Sequence, residues 1–174
     1  MALIIDGLNL IYKFPELESL MYASRLDNAR EGLLEILKSY QKLRKGAIIV
    51  FFDGRKGPLN ETKNEKHGTI DVYYSIDYSA DFLIKHFVKK DTNPRMLTVV
   101  TSDKDIIFYI NRFGAKNITS EKFSEHVNNV FKEFREEQEL ARISLEKENP
   151  AVSDDEITYW QKIFSSKKNM EKKN

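Results

Sequence analysis

The sequence predicts a three-layer α/β fold, in which a mainly parallel sheet of about five strands lies between helices and precedes a helical tail. Short hydrophobic runs alternate along the chain with amphipathic segments of helical period, as in repeated strand–helix units. The middles of the runs are apolar on both faces, as a sheet covered on both sides requires. We therefore expect one α/β domain at residues 1–130 and a charged helical extension at 131–174.

Five hydrophobic runs are typical of buried strands. The predicted strands are Ala2–Ile5, Ala47–Phe52, Ile70–Tyr74, Leu97–Thr101 and Lys116–Thr119. Residues 54–68 contain Pro58, two asparagines and several charges, and this composition predicts a loop between the second and third strands.

Helices are predicted where apolar residues recur with a period of 3.6. They cover about 27–45, 79–90 and 102–113, and Gly46 and Gly114 are plausible stops for the first and the third. Ser79 is the expected cap of the second helix, and Ser102 or Asp103 that of the third.

The C-terminal extension differs in composition from the preceding domain. A helix at about 121–147 begins with apolar residues, becomes dense in charge, and is broken at Asn149-Pro150. A capping-box pattern from Ser153 to Glu156 predicts a last short helix, with Trp160 packed on the core. Residues 167–174 are polar, and we expect them to be disordered.

Composition narrows the classes of protein considered. A hydrophobic content of 41% and a charged content of 32% indicate a soluble globular chain. The formal charge of +1 neither requires nor excludes nucleic acid, because local patches matter more than the sum. With no cysteine, disulfides and thiolate metal sites are excluded. The start does not resemble a signal peptide and no apolar run is long enough to span a membrane, so a cytoplasmic location is expected.

Four aspartates are the basis of the functional prediction. Asp6, Asp53 and Asp103 each follow a predicted strand, and Asp81 lies in the first turn of a predicted helix. Residues just past the carboxyl ends of parallel strands converge on one edge of the sheet. Clustered carboxylates repel unless a cation neutralises them, and oxygen ligands of this kind suit Mg²⁺ or Mn²⁺. We therefore predict a metal site formed by these four residues.

Each motif also has a simpler structural explanation. Asp6-Gly7 and Asp53-Gly54 are common turn dipeptides, and an acid at the position of Asp81 is favoured by the helix dipole alone. The strongest segment is Thr101–Asp105, because capping explains only one of its four hydroxyl and acidic side chains.

The predicted chemistry is phosphodiester hydrolysis by metal-activated water. Asn9, Thr101 and Ser102 would orient a carboxylate or the phosphate, and Asp105 would lie behind the ligands or be merely exposed. This chemistry requires no histidine, and His67, His86 and His126 are expected to be ordinary surface or packing residues. The chain has no P-loop, GxGxxG or GxSxG motif, which argues against kinase, dehydrogenase and serine hydrolase functions.

Basic and aromatic residues flank the acidic motifs and could bind a polyanion. The predicted RNA-binding residues are Arg25, Arg30, Arg55, Lys56 and Lys104, with Lys63 and Lys66 nearby and Tyr12, Phe14 and Tyr78 available to stack on bases. A solvated loop with interspersed charges explains each residue taken singly.

These motifs together resemble the NYN (PIN-like) nucleases, and within them the YacP-like group. The matching segments are Ile4–Asn9, Leu26–Tyr40, Ile49–Gly54, Ala80–Ile84 and Val99–Asp103, in the order of the family. The resemblance implies a PIN-like sheet and an endoribonuclease dependent on Mg²⁺ or Mn²⁺. It also implies that the four aspartates form the acidic cluster with Asn9 beside it, and that the substrate is mRNA on the ribosome.

Other functions remain open from the residues themselves. A non-catalytic RNA- or ribosome-binding module could keep the same fold. A receiver-like signalling domain would need paired acids after the first strand, and a haloacid-dehalogenase-type phosphatase would need Asp-x-Asp there. Asp6 is followed by Gly7 and Leu8, which weakens both of these alternatives.

Overall fold

The computed structural model describes residues 2–54, 63–76, 78–148 and 158–159. Its strands are β1 Ala2–Asp6, β2 Ala47–Asp53, β3 Lys63–His67, β4 Ile70–Ser75, β5 Leu97–Val100 and β6 Lys116–Ile118. Its longer helices are α1 Gly7–Ile11, α2 Pro15–Tyr22, α3 Leu26–Leu43, α4 Ala80–Lys90, α5 Lys104–Asn111 and α6 Ser120–Glu148, and a 3₁₀ turn covers Pro94–Met96.

The six strands form one sheet in the order β3-β4-β2-β1-β5-β6. β4, β2, β1, β5 and β6 are parallel to their neighbours, and only β3 is antiparallel to its partner β4. β1 therefore lies near the centre of the sheet, between β2 and β5, and its carboxyl end is flanked on both sides by those of its neighbours.

Helices cover both faces of the sheet, which confirms the predicted three-layer fold. On one face, α1, α2, α3 and the first turns of α6 enclose a core that includes Ile5, Leu33, Phe52 and Phe123. On the other face, α4 and α5 pack on a smaller core that includes Ile4 and Ile106. The residues of the central strands alternate between these two cores, because successive side chains of a strand point to opposite faces.

The chain divides into two compact units, at residues 1–132 and 133–174. The second unit contains the exposed, highly charged part of α6 and a described helical pair at residues 158–159. The predicted break at Asn149-Pro150, the cap at Ser153, the packing of Trp160 and the disordered end fall outside the described residues.

The structure corrects two predictions about the first half of the chain. The segment 54–68, predicted as a loop, contains strand β3, whose residues Lys63–His67 pair with β4. Its sequence is entirely polar, which is typical of an edge strand protected from aggregation by charge. Helices α1 and α2 were not predicted at all, and α1 replaces the turn that Asp6-Gly7 alone suggests.

Candidate metal and RNA site

Three predicted site residues lie on the same face of the sheet. Asp6, Asp53 and Thr101 each stand two positions after a strand residue that belongs to the core under α4 and α5. Side chains two positions apart point to the same side of a strand. The carboxyl ends of β1, β2 and β5 thus direct these side chains towards the amino ends of α4 and α5, where Asp81 and Asp103 lie.

Asp6 is the central carboxylate of this edge. One oxygen accepts a hydrogen bond from the backbone N–H of Asn9 at 3.2 Å, which makes Asp6 the N-cap of α1, and the other accepts one from the Thr101 hydroxyl at 3.0 Å. Burial raises the pKa of Asp6, and the negative charges of Asp53 and Asp103 raise it further, whereas the two hydrogen bonds lower it. Asp53 and Asp103 are therefore close enough for their charges to act on Asp6.

Asp53 connects the end of β2 to the start of α4. Its Oδ1 accepts hydrogen bonds from the backbone N–H of Ala80 at 2.6 Å and from the Ser75 hydroxyl at 3.3 Å. This anchor holds the amino end of α4, and with it Asp81, beside the acidic edge. Asp53 is also favoured there because the amino end of a helix attracts negative charge.

The two oxygens of Asp81 have different surroundings. Oδ2 forms an ion pair with Lys85 at 3.0 Å. Oδ1 is buried and has no hydrogen-bond partner within the described part of the chain. A buried carboxylate oxygen without a partner is costly, so this atom requires a cation or water that the protein itself does not provide.

Asp103 caps α5 and is tied to Asp6 through Thr101. Its Oδ1 accepts hydrogen bonds from the backbone N–H groups of Asp105 at 2.7 Å and Ile106 at 3.3 Å. Its own N–H donates to the Thr101 hydroxyl oxygen at 3.1 Å, and that hydroxyl donates to Asp6. Asp105 supports Asp103 through its main chain, while its side chain is exposed.

A polar network fixes the loop between β5 and α5. The Asn9 side-chain oxygen accepts hydrogen bonds from the Ser102 N–H at 3.2 Å and from the Ser120 hydroxyl at 2.8 Å. The Ser102 hydroxyl donates to Glu121 at 2.5 Å, and Lys13 pairs with the same carboxylate at 2.7 Å. These contacts lower the pKa of Glu121 to about 2, Lys13 contributing most. The network joins α1, the β5–α5 loop and α6.

Sequence reasoning missed four residues of this region. Ser75, Ser120, Glu121 and Lys13 do not follow the pattern of an acid at a strand end, so nothing marked them as partners of the site. The one available signal was Ser120-Glu121, a polar pair where β6 is followed by a helix, which is the usual composition of a helix start.

Arg30, which the sequence predicts to contact RNA, has a buried side chain. Its side chain is only 4% exposed. Its guanidinium donates to the carbonyl oxygens of Asp53 and Gly54, pairs with Asp27, and lies 5.6 Å from the centre of the Phe52 ring. Arg30 therefore holds the end of β2 in place, and most of its side chain is shielded from solvent.

The remaining basic and aromatic candidates differ in exposure. Arg25 and Lys104 are exposed, and Arg25 lines a cavity of about 440 Å³ together with Arg30 and Gly54. Lys66 forms an ion pair with Asp71 at 2.7 Å. The structure corrects the prediction for Phe14, which is 2% exposed and belongs to the core. Tyr12 and Tyr78 are exposed, whereas Arg55 and Lys56 fall outside the described residues.

The four aspartates fit a divalent cation by the chemistry of their donors. All offer carboxylate oxygens, which Mg²⁺ and Mn²⁺ prefer. Among the described residues, the raised pKa of Asp6 and the unpartnered oxygen of Asp81 both indicate carboxylate oxygens whose charge is only partly offset by their protein partners. A cation placed among these residues would relieve both conditions.

A second group of possible ligands lies towards the other end of the sheet. Within the described segments, Glu31, Glu35 and His67 offer three ligand atoms within 4.8 Å of one another. His67 pairs with Ile70 at the start of β4, opposite the end that contacts Asp53. Lys38 and His67 already bind Glu35 and lower its pKa, so this group is explained by attachment of the β3–β4 hairpin to α3.

The structure is thus an α/β domain in which a mainly parallel sheet lies between two helical layers and carries acidic side chains at the carboxyl ends of its central strands. The chain belongs to the YacP-like NYN domain family, whose model matches residues 3–165. This finding confirms the resemblance inferred from the sequence motifs. Within the described residues, no helix combines the length and the apolar composition that crossing a membrane requires.

Individual relatives agree with the family assignment. The chain is 27% identical over 146 residues to the uncharacterized protein YacP of Bacillus subtilis, covering 83% of this chain and 84% of that protein. Two crystal structures of Rae1 (YacP) from Bacillus subtilis are similar to it. A tryptophan-to-leucine mutant gives a TM-score of 0.64 at 24% identity, covering 83% of this chain and 84% of the other. The second structure gives a TM-score of 0.62 at 23% identity, covering 99% of this chain and 95% of the other. At these identities the structures support the fold alone.

Proposed function

We propose that this protein is an endoribonuclease that depends on Mg²⁺ or Mn²⁺. It hydrolyses RNA phosphodiester bonds at the aspartate edge, by which we mean Asp6, Asp53, Asp81 and Asp103 at the carboxyl ends of the central strands and the amino ends of α4 and α5. The observation that carries the proposal is the state of Asp6, whose carboxylate is desolvated and faces the charges of Asp53 and Asp103. This arrangement disfavours the charged form of Asp6, and a bound cation would offset that cost. Membership of a nuclease-type family supports the same conclusion.

The four aspartates, Asp6, Asp53, Asp81 and Asp103, are the proposed metal ligands. A bound divalent cation would acidify the attacking water and neutralise the charge that develops on the phosphate oxygens. No side chain acts as nucleophile in this proposal.

The other residues of the edge position the carboxylates. The Thr101 hydroxyl donates a hydrogen bond to Asp6 and accepts one from the N–H of Asp103. It thereby fixes the spacing of these two proposed ligands. The side-chain oxygen of Asn9 accepts hydrogen bonds from both Ser102 and Ser120, and so links the β5–α5 loop to the start of α6. Preorganisation of this kind matters because carboxylates that must move during the reaction stabilise its transition state less.

The proposed substrate is mRNA, with the ribosome as partner. This part rests on the resemblance to the YacP-like group and on exposed cations such as Arg25 and Lys104 near the edge. Phosphate contacts by such residues give affinity independent of sequence. Recognition of a particular message would then depend on the partner.

Cleavage of a defined mRNA tests the proposal. The 5′-labelled message is incubated free or under translation, with Mg²⁺, Mn²⁺ or EDTA, and the wild type is compared with Asp6→Asn. Asp105→Asn is the matched control, because it removes an exposed acid two residues from a ligand. We expect internal cuts with the wild type and the control, and loss of the cuts with Asp6→Asn or EDTA.

The pattern of cuts separates the alternatives. Cuts on translated message alone would make the ribosome an obligate partner. If no cuts occur in either setting while wild type and Asp6→Asn bind RNA or ribosomes equally, the protein is a binding module and the proposed hydrolysis is wrong.

A further inference from the structure

An exposed row of aromatic rings lies along α4 and the residue just before its N-cap, on the helix that carries Asp81. Tyr78 and Phe82 stack with centroids 4.6 Å apart and planes 20° apart, and Phe82 stacks on His86 at 5.7 Å and 13°. Tyr78 is 56% and Phe82 45% exposed, and neither belongs to either core. Tyr78 and Phe82 flank the first turn of α4, which also carries Asp81.

The row continues into basic residues. Lys89 and Lys90 stand three and four positions after His86, which places them on the same side of the helix one turn further on, and both are exposed. His86 and Lys90 also border a cavity of about 450 Å³ whose walls include the rings of Phe51, Tyr73 and Phe87. Asp91 lines this cavity too, and its carboxylate accepts a hydrogen bond from the Asn93 N–H at 2.7 Å.

The arrangement selects one class of ligand. Tyr78, Phe82 and His86 already stack on one another, so unpaired bases would extend this stack on its outer faces and exposed edges, and the adjacent lysines offer contacts to phosphates. A duplex keeps its bases stacked inside the helix, so it cannot use such a row. An apolar protein partner would not require the cations that extend it.

We propose that the α4 row, defined as Tyr78, Phe82 and His86 with Lys89 and Lys90, binds single-stranded RNA and leads it to the aspartate edge. The inference rests on the proposed function, because it identifies the path of the same substrate. Bases stack on the row, and the backbone passes the lysines before it reaches Asp81.

Binding of a fluorescein-labelled, mixed-sequence, single-stranded oligoribonucleotide in EDTA tests the inference. All variants are made in the Asp6→Asn background and followed by fluorescence anisotropy. We expect the double variant Tyr78→Ala/Phe82→Ala to bind at least about tenfold more weakly, because stacking on an aromatic side chain contributes about 1–3 kcal/mol per base. Phe82→Trp should keep the affinity. Phe108→Ala on α5, which removes a ring that is 73% exposed, is the matched control and should bind like its parent.

The salt dependence distinguishes stacking from charge. Loss of the rings should leave the slope of log Kd against log salt unchanged. Replacing Lys89 and Lys90 by glutamine should reduce the slope by about 0.7 for each lysine. Circular dichroism and the thermal midpoint of every variant confirm that it is folded.

Several results would overturn the inference. These are equal binding by the double variant and its parent, an equal loss in Phe108→Ala, or no binding of the oligoribonucleotide by the parent. A loss confined to ribosome binding, with the oligoribonucleotide unaffected, would assign the row to ribosome docking instead of the substrate path and would also overturn the inference. Cleavage is measured separately with the aspartates intact. A double variant that binds and cleaves like the wild type refutes the row alone, whereas a wild type that binds through the row without cleaving refutes the proposed hydrolysis.

Discussion

Replacing Gly7 by alanine should disturb the packing of α1 on β2 and, through it, the aspartate edge. The new Cβ would lie 2.2 Å from Cε1 and 2.4 Å from Cδ1 of Phe52, and 3.0 Å from the carbonyl oxygen of Phe51. Carbon atoms in good contact are about 3.5–4.0 Å apart, so the overlap exceeds an ångström. Phe52 is fully buried, stacks on Tyr74 at 5.6 Å and lies under the Arg30 guanidinium, which leaves its ring no free direction in which to move.

The expected cost follows from this geometry. Overpacking of a filled core costs about 1–3 kcal/mol, and the higher helix propensity of alanine offsets only part of it. For a domain of this size, about 4 °C of thermal midpoint is lost per kcal/mol, and urea denaturation followed by circular dichroism measures the free energy of unfolding. Because Asp53 follows Phe52 and Asp6 precedes Gly7, cleavage should fall even where the variant is folded.

Gly32→Ala is the matched control for Gly7→Ala. Its Cβ would meet Cδ2 of Leu17 at 2.5 Å, but this atom is the far end of a flexible side chain, which can shift at lower cost than a packed ring. The net change in stability should stay within about 1 kcal/mol, since helix propensity compensates. If Gly7→Ala proves as stable and as active as the wild type, the packing of α1 on β2 is not what positions Asp6.

Three further predictions concern charges around the site. In EDTA, the stability of Asp6→Asn relative to the wild type should increase as pH rises above 3.8, the ordinary pKa of the carboxyl, because burial and neighbouring charges raise this pKa in the folded state. Denaturation curves at several pH values check this, and a constant difference would contradict it. Asp103→Ala should remove the cap of α5 and lower the free energy of unfolding by about 1 kcal/mol, whereas Asp103→Asn should keep the cap. Both variants should lose cleavage, because each removes a proposed metal ligand. Equal stability of these two variants would refute the capping role. Glu121→Gln should lower the free energy of unfolding by about 0.5 kcal/mol at neutral pH. This difference from the wild type should disappear as the pH falls from about 4.5 to about 2, because Lys13 and Ser102 lower the pKa of Glu121 to about 2 in the folded protein. A difference that persists at pH 2 would contradict this account of the network.

Much of the fold could be predicted because the core strands are strongly apolar. Ala47–Asp53 and Leu97–Val100 are hydrophobic on both faces and lie between amphipathic helices, so their burial dominates every competing local preference. The parallel arrangement then brings their carboxyl ends to one edge. The convergence of Asp6, Asp53 and Asp103 on this edge follows from topology alone.

The missed features depend on contacts that no local pattern records. β3 is polar throughout and forms only because β4 offers it an edge. α1 has five residues and is stabilised by the Asp6 cap and by packing on Phe52 rather than by a repeated apolar face. Arg30 looks like any surface arginine of a helix, and its burial becomes visible only when the carbonyl groups after β2 are placed beside it.

Binding of Mn²⁺ measured by isothermal titration calorimetry tests the central claim most directly, because it needs no substrate or partner. Asp6→Asn and Asp53→Asn report on the aspartate edge, and Glu35→Gln reports on the second group near the β3–β4 hairpin. We expect both aspartate variants to lose the Mn²⁺ binding of the wild type and Glu35→Gln to retain it. Binding that survives in Asp6→Asn and Asp53→Asn but disappears in Glu35→Gln would contradict it.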